Sequence, residues 1–327
     1  MDKMIVAIVS GKSLTEKDGS TFRPLMQSQG LNTNGFVDFE LFDVNSIDDF
    51  EEDDFSIIHA HQMSGLLFNN YLADLHGVAT RQFKDGVTRH SFLKRKFAEL
   101  VRLPELEKME KKLIGNARAI VCAGESIEEF VRPTGKAFLV RNCVDTSKYK
   151  CCDYSSARIA VCGPFLRTYQ NRYQLDYVIR IAKAFPKLSF LLVGRIEHDD
   201  LEILHRLGNI ESTGYVEDFA EVLRTCSIMF APYSSFTSQG GAKTKLIEAA
   251  ACGMCIVATP YAVCDFFAEN VKVAEDAMSL AKHLQYFAES EDVRKAVGHS
   301  MKRYVSTNHC YLTETKKLIK IYEEFCN

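Results

Sequence analysis

Short apolar runs of three to seven residues recur along the chain, and stretches of helical period separate many of them. No other feature restricts the fold as much. The first series is Met4–Val9, Phe36–Phe42, Phe55–His59, Ala119–Cys122 and Phe138–Val140; the second is Ile159–Cys162, Leu188–Val193, Ile228–Ala231 and Cys255–Ala258. Most are continuously apolar, as strands buried on both faces are. Phe36–Phe42 instead alternates with Asp38 and Glu40 and reads as an edge strand. Tyr173–Ala184 places Leu175, Val178, Ile179 and Ala182 on one helical face, and Val216–Cys226 does the same with Val216, Phe219, Ala220 and Leu223. Strands alternating with helices predict right-handed βαβ units and mostly parallel sheets.

The stretch Val144–Ser156 is polar and aperiodic, and each side of it holds its own set of strands. We therefore expect an α/β chain of two doubly wound domains, 1–147 and 148–310, with ligands at the carboxyl ends of the strands. Thr313–Phe325 reads as a final amphipathic helix.

Composition excludes other classes. The 327 residues are 46% hydrophobic and 25% charged with a net charge of −3, which excludes a disordered chain and gives no bulk basic charge for nucleic acid. The longest uncharged stretches, Ser56–Ala73 and Thr225–Ala242, have 18 residues each and are broken by polar side chains, so neither reads as a membrane span. Met4–Val9 lacks the longer apolar core and the Ala-x-Ala site of a signal peptide and reads as a first strand. Eleven scattered cysteines fit reduced thiols in a cytoplasmic protein. Charge is uneven: Asp38–Asp54 has nine acidic and no basic residues, whereas Arg81–Arg118 has eleven basic and five acidic. Within the basic stretch Leu93, Phe97, Leu100 and Val101 have helical spacing, beside Lys94, Arg95 and Lys96. An apolar stripe of this kind is expected to pack inward. The basic residues are then either a solvated face or a surface for an anionic lipid or a phosphorylated acceptor.

Several motifs resemble known sites without completing them. Ser10-Gly11-Lys12-Ser13 lacks the earlier glycine of a phosphate loop, since Val6 stands there. Gly11 still suits a close approach of ligand to backbone at a strand end. His59 and His61 alternate along a strand with no cysteine or carboxylate at metal-ligand spacing, so no metal is expected. His76-Gly77 closes another short strand and directs His76 toward the mouth of a cleft. Cys252-x-x-Cys255 has no second pair and reads as packing. Gly240-Gly241 opens a helical run, Ala242–Ala251, whose N-terminus offers N–H groups to an anion. Lys245 and Glu248 share a face of that helix. They form either a solvated ion pair or a grip on phosphate and sugar hydroxyls.

In sequence order, Ile58-His-Ala-His, Asp74-Leu-His-Gly, Ala119-Ile-Val-Cys-Ala-Gly-Glu-Ser, Arg141-Asn-Cys-Val-Asp145, Gly214-Tyr-Val216-Glu-Asp, Ile228-Met-Phe-Ala-Pro-Tyr, Gly241–Gly253 and Cys255-Ile-Val-Ala-Thr resemble the group 1 (family 4) retaining glycosyltransferases. The resemblance spans nearly the whole chain. It implies the GT-B architecture: two Rossmann-like domains facing a cleft, with a C-terminal helix at about 311–327 crossing back to the first. It implies a nucleotide-diphosphate-sugar substrate bound by the C-terminal domain, an acceptor on the N-terminal domain, and no further cofactor. The catalytic positions would be His76 and Glu248, the latter on the ribose. Donor-binding positions would be Gly11, Arg167, Arg172, Val216, Gly240, Gly241, Lys245 and Glu248. The basic stretch Arg81–Arg118 lies in the half that the resemblance assigns to the acceptor, and its charge points to a lipid-linked or glycan acceptor reached by peripheral contact with an anionic membrane.

The sequence departs from this family at three places. Gly240 stands where many members have the first of two Glu residues, Pro164 where they have an Arg after Gly163, and Cys143 where they have Gly. Arg167 and Arg172 are expected to supply the diphosphate charge from shifted positions. Alternatives to a transferase are a nucleotide-sugar epimerase and an inactive GT-B subunit; absence of Gly-x-Gly-x-x-Gly argues against an NAD enzyme.

Overall fold

The computed structural model describes residues 4–15, 19–35, 38–43, 45–46, 50–87, 92–166, 170–234 and 240–326. The chain divides into two compact units. The first comprises Met1–Asp145, Gln239–Ala242 and His309–Asn327; the second comprises Thr146–Ser238 and Lys243–Asn308.

In the first unit, strands β1 (Ile5–Val9), β2 (Asp38–Phe42), β3 (Ile57–His61), β4 (Leu72–Leu75), β5 (Ala119–Cys122) and β6 (Ala137–Leu139) form a parallel sheet of order β2-β1-β3-β4-β5-β6. Successive side chains of a strand point to opposite faces. In β1, Val6 and Ile8 accordingly pack with Leu31 of α1 (Gly19–Asn34) and Leu318 and Tyr322 of α12 (Tyr311–Phe325). Ala7 and Val9 pack on the other face with Leu113 of α4 (Leu103–Asn116) and Ile127 of α5 (Glu125–Val131). Both faces are dry, as the continuous apolar runs require, and β2 is the edge strand expected.

The second unit repeats the scheme. Strands β7 (Ile159–Cys162), β8 (Phe190–Val193), β9 (Ile210–Gly214), β10 (Ile228–Ala231), β11 (Cys255–Ala258) and β12 (Lys272–Val273) are parallel in the order β12-β11-β10-β7-β8-β9. Leu175, Val178 and Ile181 of α6 (Gln174–Ala184) and Leu280, Leu284 and Phe287 of α10 (Ala277–Glu289) fill one side. Helices α9 (Thr244–Ala251) and α11 (Glu291–Asn308) pack so closely that a Cβ added at Gly298 would lie 2.1 Å from the Gly253 carbonyl oxygen.

Two expectations change. The helix expected over Val216–Cys226 runs only over Phe219–Arg224 (α8), because the Asp218 carboxylate accepts from the Glu221 N–H at 2.9 Å and caps it there. The stripe Phe97, Leu100, Val101 does not pack inward. Helix α3 (Phe92–Phe97) joins α4 through a π-helical turn, Ala98–Arg102. Counted back from Leu103 in α-helical steps, Glu99 and Leu100 would face the core. The wider turn moves that face by one residue, leaving Ala98 and Glu99 half-buried and Leu100 75% exposed. The side chain of Leu93 lies outside the described residues.

Candidate functional site

Strand order reverses between β1 and β3 in the first unit and between β7 and β10 in the second, and ligands of open α/β sheets bind at such reversals, beyond the carboxyl ends. Gly11 lies two residues past the end of β1, and a Cβ there would lie 3.4 Å from the His61 carbonyl oxygen at the end of β3. Parallel register sets His61 beside Asp74, and His76 leaves β4 two residues later. These residues form a buried network. Arg23 Nε donates to Asp74 Oδ1 at 2.8 Å, and Gln27 Nε2 donates to Oδ2 at 2.8 Å. His59 Nε2 lies 3.1 Å from the same Oδ2, while its Nδ1 lies 2.6 Å from the Tyr322 hydroxyl.

The protons follow from the electrostatics. Burial, and then Asp74, push the Tyr322 hydroxyl well above its usual range, so it stays protonated and donates to His59 Nδ1. His59 Nε2–H then donates to Asp74. Burial would raise the Asp74 carboxyl, but the Arg23 cation first, and then the hydrogen bond from His59, hold it well below its ordinary value. Burial keeps His61 well below 6.5 despite Asp74, so its imidazole is neutral. His61 Nδ1 meets His76 Nε2 at 2.8 Å, and Gln62 Nε2 meets His76 Nδ1 at 3.1 Å. With Gln62 as donor, His76 carries its proton on Nε2 and gives it to His61.

The sequence offered no carboxylate at metal spacing, but folding supplies one: His59, His61 and Asp74 each bring a ligand atom within 4.8 Å of the others. Asp74 already accepts from three donors, one of them the Arg23 cation. That donor set fits a hydrogen-bond network better than a second cation. Asp74, Arg23, Gln27 and Tyr322 were missed as site residues. Asp74 sits in the quoted Asp-Leu-His-Gly motif; Arg23 and Tyr322 reach it from α1 and α12, and no local pattern announces them.

Gly240 and Gly241 belong to the first unit, although α9 begins three residues on. A Cβ at Gly240 would lie 2.6 Å from the His76 carbonyl oxygen, with φ at +110°, and a Cβ at Gly241 would lie 2.3 Å from that of Ala123. Only glycine fits at either position. The glycine at 240 is therefore a backbone requirement, and a Glu side chain has no room there.

In the second unit, α9 starts without a side-chain cap. Lys245 and Glu248 are half-buried on it. The ion pairs of this unit join Arg158 to Glu211, Arg172 to Asp200, Arg206 to Glu202 and Arg224 to Glu221; among the described residues none takes Lys245. Burial lowers the Lys245 ammonium, opposed by Cys162 and Glu248. Burial raises the Glu248 carboxyl to about 7, opposed by Tyr149 and Lys245. The Tyr149 hydroxyl donates to Glu248 Oε1 at 2.8 Å. Tyr149 was not foreseen as a partner. Arg172 already holds Asp200 Oδ1 at 2.7 Å, Val216 is half-buried in the β9–α8 turn, and Arg167 lies outside the described residues.

A helix start without a side-chain cap, a lysine with no ion pair among the described residues and a carboxyl with one oxygen held form a site suited to a phosphate beside hydroxyl groups. Residues 157–290 match the family model described as glycosyl transferases group 1. Among solved structures, sucrose-phosphate synthase from Thermosynechococcus elongatus superposes with a TM-score of 0.78 at 14% identity, covering 98% of this chain and 99% of that one. HepE from Anabaena, in complex with UDP-glucose, gives 0.70 at 12% identity, covering 98% and 100%. WaaG, a glycosyltransferase of lipopolysaccharide biosynthesis, gives 0.67 at 12% identity, covering 97% and 99%. No curated protein matches the sequence. The fold is thus that of the GT-B glycosyltransferases, two parallel α/β units. The match to the glycosyl transferases group 1 model covers residues 157–290 within it.

Proposed function

We propose that the protein transfers a sugar from a nucleoside-diphosphate sugar to an acceptor hydroxyl with retention of anomeric configuration and without an obligatory metal. The observation that carries this reading is the start of α9, where Lys245 has no ion pair among the described residues and Glu248 shares its face, inside the stretch that matches the group 1 model. Lys245 and the helix N-terminus face the diphosphate, and Glu248 accepts from the ribose. The bond from the anomeric carbon to the phosphate oxygen breaks as the acceptor oxygen bonds on the same face. The acceptor proton passes to the departing phosphate oxygen. Charge on that phosphate is what the site stabilises, so Lys245 substitutes for a metal ion. His76 contacts the transferred sugar. The acceptor is a hydroxyl of a lipid-linked or glycan molecule, bound by the first unit.

HepE was solved with UDP and with UDP-glucose, which makes uridine nucleotides the first to try. The test is a thermal-shift panel of UDP, GDP, ADP and their glucose conjugates, each with EDTA and with manganese. A ligand of the folded state raises Tm by mass action. One nucleotide series is expected to raise Tm equally under both conditions. No shift with any nucleotide contradicts the reading; a shift that requires manganese contradicts its metal-free part.

A further inference from the structure

The ridge on α3 and the π-helical turn faces solvent although it is apolar. Phe97 is 63% exposed, Leu100 75% and Val101 43%. Lys94, Arg95, Lys96 and Arg102 are exposed around it, and Glu99, the single acidic residue of this stretch, already pairs with Arg95 at 2.7 Å. Three large apolar side chains exposed this close together are uncommon on a soluble protein and mark a surface that something covers. The cationic rim says what. A second copy seated by two-fold symmetry would set the same cations against themselves. An anionic bilayer takes both features: the cations lie at its headgroups, and the ridge enters the acyl boundary.

We propose that Phe97, Leu100 and Val101 insert into an anionic lipid surface, held there by Lys94, Arg95, Lys96 and Arg102. This docking does not rest on the transferase reading. It also differs from attraction by charge alone, because part of the binding survives salt that screens the cations.

The chain contains no tryptophan, so a single introduced one reports its own surroundings. Leu100→Trp places the reporter on the ridge; Met278→Trp, at an exposed site of the second unit, is the control. Both variants are mixed with phosphatidylcholine vesicles and with vesicles containing phosphatidylglycerol. Leu100→Trp emission should shift to the blue with the anionic vesicles only and be quenched by brominated lipid, while Met278→Trp stays unchanged. Sedimentation with the anionic vesicles should fall at least about tenfold when Lys94, Arg95 and Lys96 are changed together to Ser, since each is worth about fivefold near such a surface. The double variant Phe97→Ser, Leu100→Ser should also bind weakly, with Tm unchanged because both residues are exposed. Sedimentation without the blue shift would overturn the insertion. So would equal binding to both vesicle types, or a concentration-dependent dimer of the native chain that the double serine variant abolishes.

Discussion

Asp74 is fully buried and Glu248 half-buried, and burial acts on both carboxyls in the same direction, yet their protonation differs. Arg23 and the His59 hydrogen bond outweigh burial at Asp74; one hydroxyl and a lysine do not at Glu248. The Glu248 carboxyl is raised to about 7, so its charged form is penalised in the folded state. The penalty is absent below the unfolded value near 4.5 and complete above the folded one. Glu248→Gln should therefore stabilise the protein at pH 8, by about 2–3 kcal/mol, and leave Tm unchanged at pH 4. Nucleotide affinity of the native chain should rise from pH 6 to pH 8, as the carboxylate that accepts the ribose hydroxyls forms. Asp74→Ala strands the Arg23 cation and should cost about 3–5 kcal/mol in urea unfolding. Lys245, Glu248 and His76 were singled out in the sequence because each sits in a local motif. The partners Tyr149 and Arg23 were not, since each lies far from its target in the chain and only the tertiary fold brings them together.

At the scale of elements, strands buried on both faces were the most legible: Ala119–Cys122, Ile159–Cys162, Ile228–Ala231 and Cys255–Ala258 match residue for residue. Their apolar runs end where the chain turns. Strands β9 and β12 escaped because they are sheet edges, and Ile210-Glu-Ser-Thr-Gly and Lys272-Val carry too little apolar signal. The amphipathic pattern of α3 misled for a different reason. A period computed for one helix type fails across a π-helical turn, which no residue there announces. The glycine pair ahead of α9 was legible as a loop but not as part of the first unit. Gly240→Ala tests that placement. The added methyl meets the His76 carbonyl oxygen at φ +110°, so the variant should lose about 1–3 kcal/mol of stability. An unchanged Tm would mean that the loop adopts another conformation.

Across the whole molecule, the two units should respond to acid in opposite directions. The first holds His61 and His309, both kept neutral by burial, His309 down to about 4. Unfolded histidine binds a proton near 6.5, so this unit loses stability as pH falls from 6.5 toward 4. The second holds Glu248, whose penalty is relieved over the same range. Hydrogen exchange followed by mass spectrometry, peptide by peptide from pH 7 to pH 5 and referred to the intrinsic amide rate at each pH, should show protection falling in the β1–β6 sheet and rising around α9. The central claim is that the start of α9 binds a nucleoside diphosphate, and calorimetric titration of the native chain and of Glu248→Ala with the nucleotide that raises Tm tests it directly. Loss of a charge-assisted hydrogen bond of about 1.5–3 kcal/mol predicts affinity weaker by about tenfold to a hundredfold in the variant. Equal affinity in a variant that remains folded would contradict the placement of the donor.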